Sequence, residues 1–319
     1  MKTINELWAY YNSDLLPDLQ VMEVQRKEVA KKVRNLNIWC GIGVGLSVLF
    51  IWLIFPILTL LALIFVWIYF YKQYTKAYHT DFKSKVIYRV IKFIDESLEY
   101  SPTNCIPTTT YYASKLFPKS CDRYKGDDYV YGNVGKTKLR FSELHTEYKT
   151  ETRDAKGNRQ TKWHTIFRGI FFIADFNKHF NGETMVLPDT AQKLFGNWLG
   201  NLFQSWNFTR DDLIKLEDPE FERLFVVYGT DQIEARYILS TSLMKRIVDF
   251  KKKTGKTIYL SFINNEIYVA VSYNKNLFEP KIFKTLLDFN VIREYYSDLQ
   301  LALGIIEELN LNTRIWSKQ

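Results

Sequence analysis

Four polar side chains are spaced in a way that could support chemistry. Glu143, His145 and Glu147 alternate along one segment, and His164 lies in the segment expected to pair with it. Two histidines and two carboxylates could bind a divalent metal or act as acid and base. Alternating polar residues are also typical of the solvated face of an antiparallel strand, which is the interpretation we favour. No catalytic residue, metal or cofactor is therefore predicted.

Other candidate sites are weaker still. Three cysteines are present, Cys40, Cys105 and Cys121, and no two have the spacing of a redox or zinc motif. The glycine-rich run GIGVG at 41–45 has neither a strand before it nor a Lys-Ser or Lys-Thr pair after it, so it is not a phosphate loop. A charged turn is predicted near Arg123 and Lys125, and its acidic residues are Asp122, Asp127 and Asp128.

The elements that must position the four polar residues are strands. From Tyr129 onward, apolar residues recur with a period of two, and Asn181-Gly182 is a strong hairpin signal. A helical insert is predicted at 189–208, and Asp231 caps a further helix, with Glu234 three residues later. We predict an α+β domain over 101–319, with about seven antiparallel strands, inserted helices and a C-terminal helix. A partly closed, barrel-like sheet fits this order.

A long apolar stretch precedes this domain. Residues 35–71 contain no Asp, Glu, Lys, Arg or His. As one straight helix they would extend about 55 Å, against a hydrocarbon core of about 30 Å. Pro56 lies near the midpoint and disfavours helical backbone at Phe55, so we predict a transmembrane helical hairpin over 37–71 with its turn at these two residues. Its halves are short, which leaves a full crossing and a re-entrant hairpin both open.

Basic residues flank the hairpin on both sides. The chain carries a formal net charge of +8, and the whole of its positive excess lies in these two flanks. The positive-inside rule then puts both termini in the cytoplasm, and the remaining sequence offers no basic surface for nucleic acid. The residues predicted to lie at the membrane interface are Arg26, Lys27, Lys31, Lys32, Arg34, Trp39, Trp67, Tyr69, Tyr71, Lys72 and Lys76.

The segments beside the hairpin are predicted to be helical. Residues 1–36 form amphipathic, coiled-coil-like helices interrupted at Pro17, and residues 72–100 form a juxtamembrane helix. The first segment carries an apolar stripe that could be an oligomer seam or could pack on the chain's own helices. The seam comprises Leu15, Leu19, Met22, Val29, Val33 and Leu36. Gly41 and Gly45 share one helix face and are predicted to pack against the return helix or another protomer.

Several phrases of the sequence resemble a known family. They include LFPKSCDRYKGDDYVYGNVGKTKLRFSELHTEY, HTIFRGIFFIADFNK, VLPDTAQKLFG, LEDPEFERLFVVYGTDQIEARYILSTSLM and LNLNTRIW. Together they are similar to an uncharacterised bacterial family of membrane-anchored proteins catalogued only as a domain of unknown function. The resemblance covers residues from about Lys72 to the C-terminus. It implies a bacterial inner-membrane protein with a cytoplasmic domain, and it implies no chemistry.

We therefore expect a membrane-anchored cytoplasmic binding or scaffold module rather than an enzyme. Its expected partners are the lipid bilayer and either a partner protein or further copies of itself. A membrane-tethered hydrolase or lipid-modifying enzyme that uses the His/Glu strand face is the alternative. A structural subunit of a larger envelope assembly is the second alternative.

Overall fold

The structure is a computed structural model. It describes residues 2–49, 56–117, 119–153, 157, 159–176, 179–189, 213–309 and 311. The predicted insert at 189–208, apart from Asp189, and the predicted turn residue Phe55 lie outside the described residues. The chain divides into two compact units. The first contains 1–94 and 278–297, and the second contains 95–277 and 298–319.

The first unit begins with helix α1, Ile4–Tyr10, whose start is fixed by a capping box between Thr3 and Glu6. A π-helical turn, Tyr11–Leu15, leads directly into the long helix α2, Leu16–Leu49. The predicted interruption at Pro17 is therefore wrong. Proline has no N–H to donate, and a π turn just before it lets the chain stay helical through this position.

The next helical stretch comprises α3, Pro56–Phe82, a π turn, Lys83–Ile87, and α4, Tyr88–Ile94. Helices α2 and α3 lie side by side and antiparallel, since Trp67 Nε1 donates to Asn37 Oδ1 at 2.7 Å while Leu63 lies against Gly43. Among the described helices, one is long and apolar enough to cross a membrane, the stretch Ile57–Ile94. Crossing by α2 as well stays a prediction.

The second unit is built on a nine-stranded antiparallel sheet. Its order is β1-β2-β3-β4-β9-β8-β5-β7-β6. The strands are β1 Glu99–Ser101, β2 Arg123–Val134, β3 Thr137–Arg153, β4 Arg159–Asp175, β5 Glu183–Pro188, β6 Leu213–Ile214, β7 Phe225–Gly229, β8 Ile258–Ile263 and β9 Glu266–Ser272.

Three expectations about this sheet need correction. The described residues contain nine strands of this sheet rather than about seven, because the short edge strands β1 and β6 carry too few residues to show a periodic pattern. The sheet is open rather than partly barrel-like, since β1 and β6 are edges that do not pair with each other. Asn181-Gly182 does not join a hairpin, because β9 and β8 lie between β4 and β5. The Glu234 carboxylate instead accepts the backbone N–H groups of both residues, at 3.0 and 2.6 Å.

Helices connect and follow these strands. They are α5 Thr108–Ala113, α6 Pro219–Leu224, α7 Gln232–Ile238, α8 Thr241–Thr254 and α9 Phe289–Glu308. The predicted N-cap at Asp231 is confirmed, since its side chain accepts from the backbone N–H groups of Ile233 and Glu234. Helix α8 ends at Gly255, whose φ of 64° is the left-handed conformation that favours glycine.

The core of the second unit is rich in aromatic side chains. Tyr111 from α5 stacks on Phe117 at 5.4 Å, and Phe117 lies over Phe167 of β4 at 5.0 Å. These residues belong to one buried cluster with Phe171 and Tyr268. One face of the central strands is thereby covered by α5 and the segment that follows it.

Candidate functional site

The four predicted polar residues do not form one site. Glu143 and His145 lie opposite Ile170 and Arg168, whereas His164 lies opposite Tyr148. The β3–β4 register shifts between Thr146 and Glu147, where β4 contains one extra residue. Since successive side chains on a strand point to opposite faces, Tyr148 and its partner His164 lie on the face opposite Glu147 and His145. The two histidines therefore do not converge.

His145 is held by its near neighbours on that face. Its Nε2 lies 3.4 Å from Thr165 Oγ1 and 3.8 Å from Glu147 Oε1. Partial burial lowers the pKa of His145, and the nearby carboxylate of Glu147 opposes this shift. Glu147 also forms an ion pair with Arg123 at 2.9 Å, and the Arg123 guanidinium stacks on Trp163 at 3.8 Å. These contacts pair the polar side chains of this strand face with one another, although the Glu147 side chain is only 13% exposed and the face is therefore less solvated than expected.

His164 belongs to a different group of side chains. Its ring stacks on Tyr148 at 4.8 Å, and its Nε2 is 2.9 Å from Thr150 Oγ1. Lys119 Nζ lies over the other ring of this stack, 3.2 Å from the Tyr148 centroid. This arrangement orders the long β3–β4 ribbon by stacking and by a cation–π contact.

Glu143 lies near two other carboxylates that the sequence did not connect with it. Oxygens of Asp127, Asp128 and Glu143 all lie within 4.8 Å of one another. Asp128 has a φ of 57° in the bulge of β2, and Tyr100 donates its hydroxyl proton to it. Glu143 is 7% exposed and accepts the Leu277 N–H at 2.8 Å. Carboxylate oxygens suit a hard cation such as Ca²⁺, and these three residues could hold one.

All three carboxylates could be seen in the sequence, but their proximity follows only from the pairing of β2 with β3. Asp127 lies directly opposite Glu143 in the β2–β3 register. Asp122, Asp127 and Asp128 therefore do not form one charged turn. Asp127 and Asp128 lie near Glu143, whereas Asp122 accepts the Lys149 N–H at 2.8 Å.

The proposed oligomer seam is buried inside the chain. Leu15, Leu19, Met22 and Val33 are no more than 1% exposed. Val29 is also buried, and Leu36 is half-buried. The stripe is therefore covered within a single copy, which is the alternative that the sequence left open, and it is not available as a coiled-coil seam.

Arg26 is not a membrane-interface residue. Its guanidinium is buried and forms two hydrogen bonds with Glu23, at 2.7 and 2.8 Å. Its Nη1 donates to the Ile282 carbonyl at 2.6 Å, and Glu23 accepts the Leu286 N–H at 3.0 Å. Burial works to raise the pKa of Glu23, but these hydrogen bonds outweigh it and lower that pKa. The pair attaches segment 278–288 to α2, a role that the basic pattern of the flank did not reveal.

A second ion-pair group attaches the same segment to the other long helical stretch. Glu279 lies 2.8 Å from His79 Nδ1 and 2.8 Å from Lys83 Nζ. Burial would raise the pKa of Glu279, but the hydrogen bond from His79 and the charge of Lys83 outweigh it and hold that pKa at about 2. Lys83 is itself buried, and its charge is balanced in part by the Glu279 carboxylate.

The other predicted interface residues are accessible on the surface of the first unit. Trp39 is 71% exposed, and Tyr69 is also exposed. Trp67 and Tyr71 are half-buried, stacked on each other at 4.9 Å. The remaining basic residues of this set are all exposed: Lys27, Lys31, Lys32, Arg34, Lys72 and Lys76.

The glycine that faces the return helix is Gly43. A Cβ there would lie 3.0 Å from Leu63 Cδ2, whereas a Cβ on Gly41 or Gly45 would meet no atom of the described residues within 4 Å. Packing of Gly41 and Gly45 against the return helix is therefore wrong, and packing against another protomer stays a prediction. The i, i+4 spacing of Gly41 and Gly45 therefore did not identify the helix face that packs against α3.

Comparison with known proteins gives a limited result. The model of a family described as "Protein of unknown function (DUF3137)" matches residues 165–311. The resemblance to a domain of unknown function is confirmed over this part of the chain. The phrase that runs from Leu116 to Tyr148 lies before the match, so the matched range is shorter than expected from the sequence.

No curated protein matches the chain. Among solved structures, the chain is similar to the mycobacterial trehalose monomycolate transport factor A, TtfA, with 11% sequence identity and a TM-score of 0.20. The alignment covers 53% of this chain and 76% of that protein. A likeness this low establishes neither a common fold nor a common function.

Proposed function

We propose that this chain is a membrane-anchored cytoplasmic binding or scaffold module of the bacterial inner membrane. Helices α2 and α3 cross or enter the bilayer as a hairpin, and both termini lie in the cytoplasm. The module acts through a partner protein or at the membrane surface, and not by catalysis.

One observation carries the membrane assignment, the apolar surface of the α2–α3 pair. Trp39, Ile57 and Phe65 are each 71–72% exposed, and further side chains between Ile38 and Ile68 are exposed as well. Apolar patches of this extent are rare on soluble monomers and indicate contact with a membrane or a protein. Each such side chain gains about 1.5–3 kcal/mol when it leaves water, so the bilayer is the environment that stabilises this surface.

The orientation rests on charge. Exposed basic residues lie at the same end of both helices, before α2 becomes apolar and after α3 ceases to be apolar: Lys27, Lys31, Lys32, Arg34, Lys72 and Lys76. Lysine and arginine at a membrane edge favour the cytoplasmic side and attract anionic headgroups. A cytoplasmic location of both flanks follows from this arrangement.

A binding role is preferred to an enzyme because the predicted His/Glu set is divided between two faces of the sheet. The second candidate is a structural subunit of a larger envelope assembly. The open face at Gly41 and Gly45 favours it, since small residues on a membrane helix let another helix approach closely.

Cysteine accessibility in spheroplasts tests the topology. In a chain with its three cysteines changed to Ser, Asn5→Cys lies before the hairpin and Gln160→Cys lies after it, both at exposed positions. An impermeant maleimide should label neither until the membrane is permeabilised. Labelling of one site in intact spheroplasts would mean a single crossing, and labelling of both would mean inverted orientation.

A charge-reversal variant tests the basis of that topology. Changing Lys31, Lys32 and Arg34 to Glu should reduce insertion or invert the hairpin, because the positive-inside bias before α2 is lost. The matched control reverses three exposed lysines of α8, which should leave labelling unchanged: Lys245, Lys252 and Lys253. Normal topology in the first variant would contradict the charge argument.

The binding role is tested by gentle isolation of the full-length protein from its native membrane. A partner at fixed stoichiometry in the isolated material supports a scaffold or an assembly subunit. Dependence of that partner on Gly41 and Gly45 would favour the assembly subunit. A lone monomer in several mild detergents would contradict both.

A further inference from the structure

A cavity of about 530 Å³ opens at one end of the sheet, where β2, β3, β4 and β9 lie side by side. Its volume falls within the range of about 300–1,000 Å³ that is typical of small-molecule sites. The strand ends that line it include Tyr131 and Arg140, which lie directly opposite each other in the β2–β3 register. Neither the two histidines of β3 and β4 nor the three clustered carboxylates line this cavity.

Arg140, which lines the cavity, is only partly satisfied by hydrogen bonds to the described residues. Its Nη2 donates to both carboxylate oxygens of Glu266, at 2.9 and 3.2 Å. Its Nε is fully buried and donates to no described residue. Tyr268 also donates to Glu266, at 2.8 Å, so the Glu266 carboxylate has two donors, while Arg140 Nε has no acceptor among the described residues. A buried donor without a partner is rare in folded proteins and indicates a missing acceptor such as a ligand or water.

An aromatic surface lies beside this guanidinium. The rings of Tyr129 and Tyr131 stack at 5.3 Å with an interplanar angle of 26°. Tyr129 packs against the core, whereas Tyr131 is 45% exposed. A flat ring could stack on Tyr131, and its substituent would then be next to Arg140.

Charge limits the class of ligand. Lys138 and Arg140 are the cations of the lining, and Asp175 and Glu266 are its carboxylates. A balanced site of this kind disfavours a multiply charged ligand such as a polyphosphate. Arginine has the geometry to bind a carboxylate through two parallel hydrogen bonds. We propose that this cavity binds a small aromatic carboxylate, with the ring on Tyr131 and the carboxylate on Arg140.

Calorimetry on the full-length protein in lipid nanodiscs tests the proposal with three probes. Indole-3-acetate supplies both ring and carboxylate, indole-3-acetamide keeps the ring without the charge, and acetate keeps the charge without the ring. We expect indole-3-acetate to bind at least about tenfold more tightly than either of the others. The amide loses the charged hydrogen bond to Arg140, and acetate loses the ring that stacks on Tyr131. Empty nanodiscs correct for partition into lipid.

Two variants assign the contacts. Tyr131→Ala removes the stacking surface, and Arg140→Lys keeps a cation for Glu266 but loses the guanidinium; each should weaken binding at least about tenfold. The matched control is Tyr237→Ala on α7, which is 46% exposed and outside the cavity, and it should bind like the wild type. Amide exchange confirms that each variant is folded.

Three results would overturn the proposal. They are failure of indole-3-acetate to bind at millimolar concentration, equal affinity for the acid and the amide, and unchanged binding by Tyr131→Ala or Arg140→Lys.

Discussion

Replacing Glu23 by Gln should release segment 278–288 from helix α2. The Glu23 and Arg26 side chains are 6% and 10% exposed, so the variant leaves a buried guanidinium without its counter-charge. Removal of one partner from a buried ion pair typically costs about 3–5 kcal/mol. Glutamine can still accept the Leu286 N–H through its amide oxygen, so we expect the lower value of about 3 kcal/mol. That corresponds to an opening equilibrium more than a hundredfold larger.

Amide hydrogen exchange of the full-length protein in lipid nanodiscs measures this opening residue by residue. The Leu286 amide, which donates to Glu23 at 3.0 Å, should exchange about a hundredfold faster in Glu23→Gln. Amides of the sheet strands in the second unit should keep their rates, because they do not depend on this pair.

Two further variants test whether the buried, unpaired charge of Arg26 is what destabilises Glu23→Gln. Asp18 and Arg89 form a pair at 2.6 Å that is 40% and 43% exposed. Asp18→Asn should change stability by less than about 1 kcal/mol because water screens such pairs. The double variant Glu23→Gln, Arg26→Met should recover most of the lost protection, since no charge is left buried. Equal effects of Glu23→Gln and Asp18→Asn, or a double variant worse than the single one, would refute the reasoning.

Three other changes test separate parts of the structure. The pKa of Glu279 is held at about 2, below its ordinary 4.5, so its stabilisation is complete above about pH 4.5 and is lost as the pH falls toward 2. The increase in exchange of segment 278–288 between pH 5 and pH 3, corrected for intrinsic rates, should therefore be smaller in Glu279→Gln; an equal increase would contradict this. Gly43→Val should lower the melting temperature of the purified chain, because the new side chain would meet Leu63. Gly41→Val is the control and should not lower it. Equal melting temperatures of the two variants would show that α2 and α3 do not pack at Gly43. Leu19→Ala should destabilise the protein by about 2–5 kcal/mol without changing the mass of the native particle, because Leu19 is buried within one copy. A lower particle mass with unchanged stability would instead support the oligomer seam.

Much of the local structure could be predicted because its signals act over a few residues. The Asp231 cap needs only the N–H groups of the next turn. The β8–β9 hairpin turns at Asn264, whose φ of 58° is a conformation that asparagine tolerates. The apolar stripe of residues 15–36 predicted burial, although its partner within the same chain could not be identified from spacing alone.

The candidate site was harder to predict because it depends on strand register. One extra residue in β4 puts His164 and His145 on opposite faces, and no sequence signal marks that bulge. The same kind of long-range pairing places Asp127 opposite Glu143 and brings three carboxylates together. A shift of a single residue exchanges the two faces of a strand, so period-two patterns predict strands but not sites.

The sequence by itself determined the long apolar stretch, the basic flanks, the α+β class and most strands, because hydrophobic periodicity and charge are properties of neighbouring residues. Only the tertiary structure decided that Arg26 is an internal partner of Glu23 rather than a membrane contact, and that β9 and β8 lie between β4 and β5. It also brought Tyr131 and Arg140 together at one cavity. These arrangements join residues far apart in the chain, and their free energies depend on burial and geometry that exist only after the chain has folded.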